Sequence, residues 1–394
     1  MTGAAQAPRA PVPVLHVITL LELGGAQQNT LATLARLDRA RFAPQLACGM
    51  GGLLDDEARA LGVPLHFLPD LVRPVRPWRD LRARAALVRL LAPLAAAGPV
   101  IVHTHSSKAG LLGRQAAARA GAGPVVHSVH GFGHDALPPG LRAAGLWAER
   151  RAARLTDAFL SVSRANIDEG RQLGLFGDRP VHLVRSGIDL REFERAPALR
   201  AAARRELALP PDAPVVGLIA CLKPQKAPLD FVAAAAAVAR TRPDARFFIA
   251  GDGELRPQVE AAVAAAGLRE RLALLGWRRD VPALLGALDV LVLTSLWEGL
   301  PRVCPQAMAA GRPIVATAVD GIPEAVVDGR NGLLVPPGRP DRAAAAILRL
   351  LGDPSLAARM GAAGRAAVPE FSEDGMVAEQ ERIYTALLAG RRGP

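Results

Sequence analysis

The feature that most constrains this chain is a repeated alternation of short, unbroken apolar runs with segments of helical length. In the second half the runs are "PVVGLIA" (214–220), "ARFFIAGDG", "LALLGW", "DVLVLTS" and "RPIVATA". Between them lie "DFVAAAAAVAR", a helical stretch over about 254–266, "DVPALLGAL" and "VCPQAMAA". A strand with no polar residue at every second position must be buried on both faces. Strands of that kind belong to a parallel sheet covered on both sides by helices, a doubly wound α/β domain. The first half has the same grammar with less regular connections. "VPVLHVIT", "FAPQLACGM", "PLHFLP", "VIVHTH", "PVVHSVH", "DAFLSVS" and "VHLVRSG" are its expected strands.

With 394 residues, half of them hydrophobic, the chain can bury two such cores. The expected division is a disordered tail over 1–11, a first domain over 12–190, a polar helical connection over 191–213, a second domain over 214–370 and a last amphipathic helix over 371–394. Two open α/β domains facing each other leave a cleft, and ligands of such sheets bind at the carboxyl ends of the strands.

Charge narrows the partners. Of a net charge of +11, residues 1–189 carry +8, so the basic excess sits in the first half and points to an anionic partner there. Three dispersed cysteines, Cys48, Cys221 and Cys304, lack metal-ligand spacing and suit a reducing cytoplasm. The start, "MTGAAQAPRAPVP", has no apolar core of a signal peptide. No apolar run reaches the length of about 18 residues that a membrane span requires. The expectation is a soluble or membrane-peripheral protein.

Four strand-to-helix loops carry residues suited to a ligand. In "LLELGGAQQNT", Gly24 and Gly25 permit close backbone approach at a helix start; a tight turn is the plain alternative. In "ACLKPQKAP", Lys223 and Lys226 are two of only three lysines in an arginine-dominated chain, which suggests a phosphate clamp. "GDGELR" (251–256) has Arg256 where a dinucleotide fingerprint requires its third glycine, so a nicotinamide site is not supported. In "SLWEGLPRVCPQAMAAG" (295–311), Glu298 precedes a helix closed by Gly311, and either Pro301 or Pro305 occupies its first turn. That helix start suits a diphosphate, and Glu298 suits sugar hydroxyls. His103, His105, His130 and His134 match no zinc spacing. His130 stands apart because it ends a strand and precedes Gly131.

Taken in order, "GGAQ", "HTHSSKAG", "VHGFG", "LVRSGID", "CLKPQK", "GDGELR", "LGWRRDV", "SLWEGLPRVCPQAMAAGRPIVAT" and "GIPEAVVDGRNGLLVPP" closely resemble glycosyltransferase family 4, retaining enzymes of GT-B fold. Within that family the chain is most similar to bacterial capsular, exopolysaccharide and lipopolysaccharide transferases. The resemblance implies two Rossmann-like domains facing a central cleft. The second holds a nucleotide-sugar, the first an acceptor, and the C-terminal helix crosses back to the first.

The family's E-x7-E motif maps its first Glu onto Glu298, near the donor sugar, and its second, on the ribose, onto Gln306. Its diphosphate-binding Lys maps onto Lys226, while Cys221 replaces its Arg; Lys223 can supply the missing charge. His130 matches the histidine near the transferred sugar. Gly24, Gly25, Gly253, Glu254, Trp277, Gly299 and Leu300 lie in the same motifs as expected substrate contacts. A glutamine offers one acceptor oxygen where a carboxylate offers two, so Gln306 is expected to weaken the donor contact by about 1–2 kcal/mol, roughly tenfold.

The implied reaction moves a sugar, with retention, from a nucleotide diphosphate donor to a saccharide or lipid-linked saccharide acceptor. It needs no cofactor or metal, and its chemistry rests on stabilising the departing diphosphate. The stretch 71–91 carries Arg73, Arg76, Arg79, Arg82, Arg84 and Arg89 around Trp78, which fits peripheral contact with an anionic membrane as well as a plain solvated face. Nucleic acid is not an expected partner, with aromatics at 4% and no binding module. Two other readings are a GT-B sugar-nucleotide epimerase or hydrolase, and a non-catalytic donor-binding relative.

Overall fold

The computed structural model describes residues 10–132 and 138–390; the expected tail therefore lies mostly outside the described residues, as does His134. Two compact units are present, one taking in the chain through Gly187 and again from Glu373, the other spanning Ile188–Ser372.

In the first unit the strands are β1 (Val12–Ile18), β2 (Phe42–Cys48), β3 (Leu65–Phe67), β4 (Ile101–His105), β5 (Val125–Val129), β6 (Ala158–Ser161) and β7 (Val181–Leu183). They alternate with α1 (Gly25–Arg36), α2 (Asp55–Ala60), α3 (Pro77–Ala97), α4 (Ser107–Ala120), α5 (Pro139–Ala153) and α6 (Arg164–Gln172). All seven strands pair in parallel in the order β3-β2-β1-β4-β5-β6-β7. Every residue of β4 and β5 is buried, which is why those runs show no polar alternation beyond their histidines, Thr104 and Ser128.

The second unit begins with α7 (Leu190–Glu194) and α8 (Arg200–Glu206). Then come β8 (Val215–Ile219), α9 (Pro228–Thr241), β9 (Arg246–Ala250), α10 (Arg256–Ala265), β10 (Leu272–Leu274), α11 (Val281–Ala287) and β11 (Val290–Leu293). It continues through α12 (Val303–Ala309), β12 (Ile314–Thr317), α13 (Ile322–Ala325), β13 (Gly332–Val335), α14 (Pro340–Gly352) and α15 (Pro354–Ala367). The sheet is again all parallel, in the order β10-β9-β8-β11-β12-β13. Counted within each unit, the second sheet runs 3-2-1-4-5-6 and the first the same with a seventh strand added, the Rossmann order, whose direction reverses between the first and fourth strands.

Every run expected as a strand is one, and the apolar "GLLV" of β13 adds a thirteenth. The stretch 191–213 does not stand between two domains: it belongs to the second unit. There Arg200 and Arg204 grip Asp289 at 2.7 and 2.9 Å, and the Val215 amide donates to the same carboxylate at 2.8 Å. A polar composition marks this segment because its task is to satisfy that carboxylate at the entry to β11.

The last helix, α16 (Glu373–Gly390), belongs to the first unit. Its buried side, including Met376, Val377, Ile383 and Tyr384, joins a cluster with Val14, Ile101, Val126 and Leu160. Arg36 pairs with Glu373 at 2.8 Å, and the Asp38 amide donates to Glu381 at 2.7 Å. The Tyr384 hydroxyl lies 2.5 Å from His103 Nδ1 in the core. Tyr384→Phe keeps the packing and removes that partner, so thermal or urea unfolding should show a loss of about 1–3 kcal/mol, the cost of a buried polar atom left unmade. An unchanged stability would mean that the bond carries no net energy.

Candidate functional site

The loops at the carboxyl ends of β8 and β11 flank the reversal point of the second sheet, and they are tied together there. The Leu296 amide donates to Gln225 O at 2.8 Å, and Gln225 Nε2 to Trp297 O at 2.9 Å. Thr294 Oγ1 donates to the carbonyls of Lys226 and Ala227, at 2.9 and 3.0 Å. Ala227 is held at φ +41, a costly left-handed conformation for a residue with a Cβ, and Pro228 then opens α9.

Within this frame Lys226 Nζ donates to Glu298 Oε1, and both side chains are largely withdrawn from solvent. Ser295 Oγ donates to the same oxygen at 2.7 Å. Among the described residues Oε2 of Glu298 takes no hydrogen bond. The Glu298 amide donates to Asp320 Oδ2 at 2.6 Å, and Thr317 Oγ1 to Ser295 O at 2.6 Å, so the end of β12 braces the loop as well. Burial favours the uncharged amine of Lys226, but the Glu298 carboxylate outweighs it and raises the lysine above its usual range. Lys226 is therefore a fixed cation at neutral pH. Burial, reinforced by the Glu298 charge, pushes the neighbouring Cys304 thiol up and keeps it protonated.

The helix after this loop settles the proline question. It starts at Val303 with Pro305 third, where an amide would have no intrahelical partner, so Pro305 costs nothing. Gly311, at φ +67, closes it, with bonds from Gly311 to Met308 and from Arg312 to Ala307, a Schellman cap. Gln306 is buried at the middle of this two-turn helix.

The glycines of the "GDG" loop let backbone approach backbone closely. A Cβ on Gly251 would stand 1.9 Å from Ala220 O, and one on Gly253 2.5 Å from Leu222 O. The loop's backbone bonds to that of 220–222 through Leu222 to Asp252 O and Leu255 to Leu222 O. Its glycines thus press it onto the loop that carries Lys223 and Lys226. Glu254 and Trp277 are exposed, whereas Gly299 and Leu300 are buried. Gly276, before Trp277, pairs with Gly251.

In the first unit, Gly24 caps α1 and Gly25 begins it, at the carboxyl side of β1. At the equivalent reversal point, between β1 and β4, Thr19 Oγ1 and Ser106 Oγ lie 2.8 Å apart. His130 follows β5, half-buried, with Nε2 at 3.2 Å from His105 Nδ1. A small cavity beside it is lined in part by Asn29, Thr33, His105, Ser128 and Gln380. One nitrogen of each of the buried histidines His16, His103 and His105 lies within 4.8 Å of the others. Both ring nitrogens of His103 already meet Tyr384 and Ser128, and both of His105 meet His16 and His130. A metal could bind there only by displacing these bonds.

Comparison with known proteins gives two family matches, Glycosyltransferase Family 4 over residues 23–192 and Glycosyl transferases group 1 over residues 213–353. The UDP-Gal:alpha-D-GlcNAc-diphosphoundecaprenol alpha-1,3-galactosyltransferase of Escherichia coli is 33% identical over 334 residues, covering 82% of this chain and 84% of that protein. The chain belongs to the family 4 glycosyltransferases. The alpha-maltose-1-phosphate synthase of Mycolicibacterium smegmatis is 31% identical over 375 residues, covering 88% and 94%. The fold matches Anabaena Alr3699/HepE in complex with UDP-glucose, with a TM-score of 0.82 at 21% identity over 95% of this chain and 100% of that one. This family 4 protein is therefore an enzyme, a hexosyltransferase of GT-B fold that draws its sugar from a nucleotide donor.

Sequence reasoning finds Lys226 and Glu298 but not the groups that hold them. Ser295, Gln225 and Asp320 are polar residues in the loops after strands, a common place for such residues, and only "TS" directly after β11 hints at a role. His16, central to the first unit's polar core, sits alone in an apolar strand and gives no signal.

The buried histidines make stability depend on pH. Burial holds His16 down to about 3. Burial and then neighbouring histidines lower His103 and His105, and burial followed by Arg114 lowers His127. All four stay neutral in the fold while the unfolded chain takes up protons below a pH of about 6.5. The unfolded state then binds more protons, so stability is full above that pH and falls as pH drops towards the folded values, by up to about 1.4 kcal/mol per pH unit for each histidine. Urea unfolding at pH 7 and at about pH 5.5 should show this loss. A flat profile would mean that the four histidines take up protons as readily in the fold as in the unfolded chain.

Proposed function

We propose that this glycosyltransferase moves a sugar, with retention at the anomeric carbon, from a nucleoside diphosphate donor held by the second unit to a lipid-linked saccharide acceptor received by the first. Assembly of a cell-surface polysaccharide is the process this serves. The observation that carries the reading is the Lys226–Glu298 pair at the reversal point of the second sheet. Lys226 has three donors and uses one on Glu298, so it can also take a phosphate oxygen. In a site shielded from water its charge acts strongly on the diphosphate as negative charge develops there, which is electrostatic preorganisation rather than proton transfer. The unused Oε2 of Glu298 accepts from sugar hydroxyls. Lys223, half-buried in the same loop, adds charge where Cys221 replaces an arginine. Gln306 contacts the ribose, Gly253, Glu254, Trp277, Gly299 and Leu300 border the donor, and His130 meets the transferred sugar. No step in this scheme calls for a metal or cofactor.

The lipid-linked acceptor is supported by the Escherichia coli relative, whose name specifies a diphosphoundecaprenol acceptor, and by one surface of the first unit. Trp78 and Val75 are 78% and 80% exposed at the start of α3, beside Arg76 and Arg82. Arg73 and Arg79 are partly neutralised by Glu22 and Asp70. An exposed tryptophan among arginines suits the headgroup region of an anionic bilayer. No described helix is long and apolar enough to cross a membrane.

Glu298→Gln and Lys226→Met, confirmed folded by circular dichroism, should each lower transfer from the preferred UDP- or GDP-sugar by about 100-fold or more. Near-full activity in both would overturn the site, and NMR of the product's anomeric configuration decides retention. Gln306→Glu should tighten donor binding by about tenfold in calorimetry, since it restores a charge-assisted bond to the ribose. Unchanged affinity would remove Gln306 from the ribose. Trp78→Ala should reduce co-sedimentation with phosphatidylglycerol vesicles while leaving activity on a soluble acceptor intact; equal binding by variant and parent would exclude α3 as the contact.

A further inference from the structure

From His130 inward, three imidazoles stand in a row. His130 Nε2 is 3.2 Å from His105 Nδ1, and His105 Nε2 is 3.0 Å from His16 Nδ1. The far nitrogen of His16, Nε2, is buried and has no hydrogen-bond partner among the described residues. A neutral imidazole has one donor and one acceptor nitrogen, so the row admits two proton arrangements. In the first, all three rings carry the proton on Nδ1: His16 donates to His105, His105 donates to His130, and His130 Nδ1–H is free to donate to a ligand. In the second, all three carry it on Nε2: His130 donates inward, and the row ends on a His16 N–H with nothing to receive it.

Both arrangements make the same two internal bonds, so the ends decide between them. His130 is half-buried, and solvent satisfies its outer nitrogen in either state. At the blind end the second arrangement strands an N–H in the core, which folded proteins tolerate less readily than an unused lone pair. We propose that His105 and His16 are positioning residues that hold His130 as its Nδ1–H tautomer, so that it meets the transferred sugar as a hydrogen-bond donor. This rests on the reading of His130 as a sugar contact.

The row orients a proton and does not relay one. A proton taken up at His130 and passed inward would leave an imidazolium at His16, where burial holds basicity down to about 3. Among the described residues no carboxylate acts on His16, His103 or His105 to stabilise it. His103 on β4 is bonded to Tyr384 of α16 and Ser128 of β5, and Tyr384 also faces Gln380. His127 on β5 meets Thr104 and lies near Arg114 of α4, whose guanidinium is paired with Glu149. His130 itself is lowered to about 4 by burial. A metal on the lone pairs of His16, His103 and His105 is the competing arrangement, and the two exclude each other because the row takes both nitrogens of His105.

The test is a long-range proton–nitrogen correlation spectrum of the full chain labelled with nitrogen-15 histidine, recorded from about pH 5.5 to about pH 8, with His130→Gln to assign the ring. The expected result is an Nδ1–H pattern for His130, constant across that range. An Nε2–H pattern, a ring that titrates within the range, or stoichiometric metal in the purified protein would overturn the proposal. In folded His105→Phe, His130 should become a mixture of tautomers, and kcat should fall by about tenfold with the donor KM nearly unchanged; an unaltered His130 spectrum would also overturn it. The spectra are taken without substrate, so they judge the row whatever the reaction. Full transfer activity in His130→Gln would instead remove His130 from the sugar, and with it the proposed use of the tautomer.

Discussion

Two opposite charges placed largely out of water, on Lys226 and Glu298, are what the second unit is organised to hold. Either charge alone would be costly there, and breaking such a pair typically costs about 3–5 kcal/mol because the survivor stays buried. The pair can persist only if its two loops cannot drift apart. Adjacent parallel strands bring the loops together, the Gln225 and Thr294 bonds lock them, and Asp320 braces the amide of Glu298 from the next strand. The glycines of 251–253 close the arrangement by letting another loop lie against 220–222.

The first unit uses the same topological position in the opposite electrostatic sense. Its reversal point carries hydroxyls and imidazoles rather than ions, and the imidazoles are kept neutral by burial. A neutral polar row gives direction without charge, whereas a buried ion pair gives field strength. A group-transfer enzyme has use for both: charge where a diphosphate departs, and oriented dipoles where uncharged hydroxyls must be recognised.

The fold was largely legible because unbroken apolar runs alternating with helical segments fit a parallel sheet covered on both faces. What the runs could not reveal was that 191–213 is part of the second unit, since its arginines answer to Asp289, nearly ninety positions away. The pair at the candidate site was legible in part, since Lys226 is one of three lysines among dozens of arginines and Glu298 lies in a Gly/Pro loop ahead of a helix. The site was not legible for Ser295, Gln225 or Asp320, whose roles come from contacts between loops distant in sequence. The glycines of "GDGELR" were visible, but their reason was not, because the backbone they approach belongs to a different loop.

The placement of α16 has a consequence for how the molecule is made. The first unit's core includes Tyr384, and its supply of Met376, Val377 and Ile383 arrives only after the whole of the second unit has been synthesised. A nascent chain therefore carries an apolar seam, open beside Val14, Ile101 and Leu160, through the translation of some two hundred residues. The half begun first is the half completed last. During that interval the second unit, whose residues are contiguous, is free to form while the first still awaits its final helix.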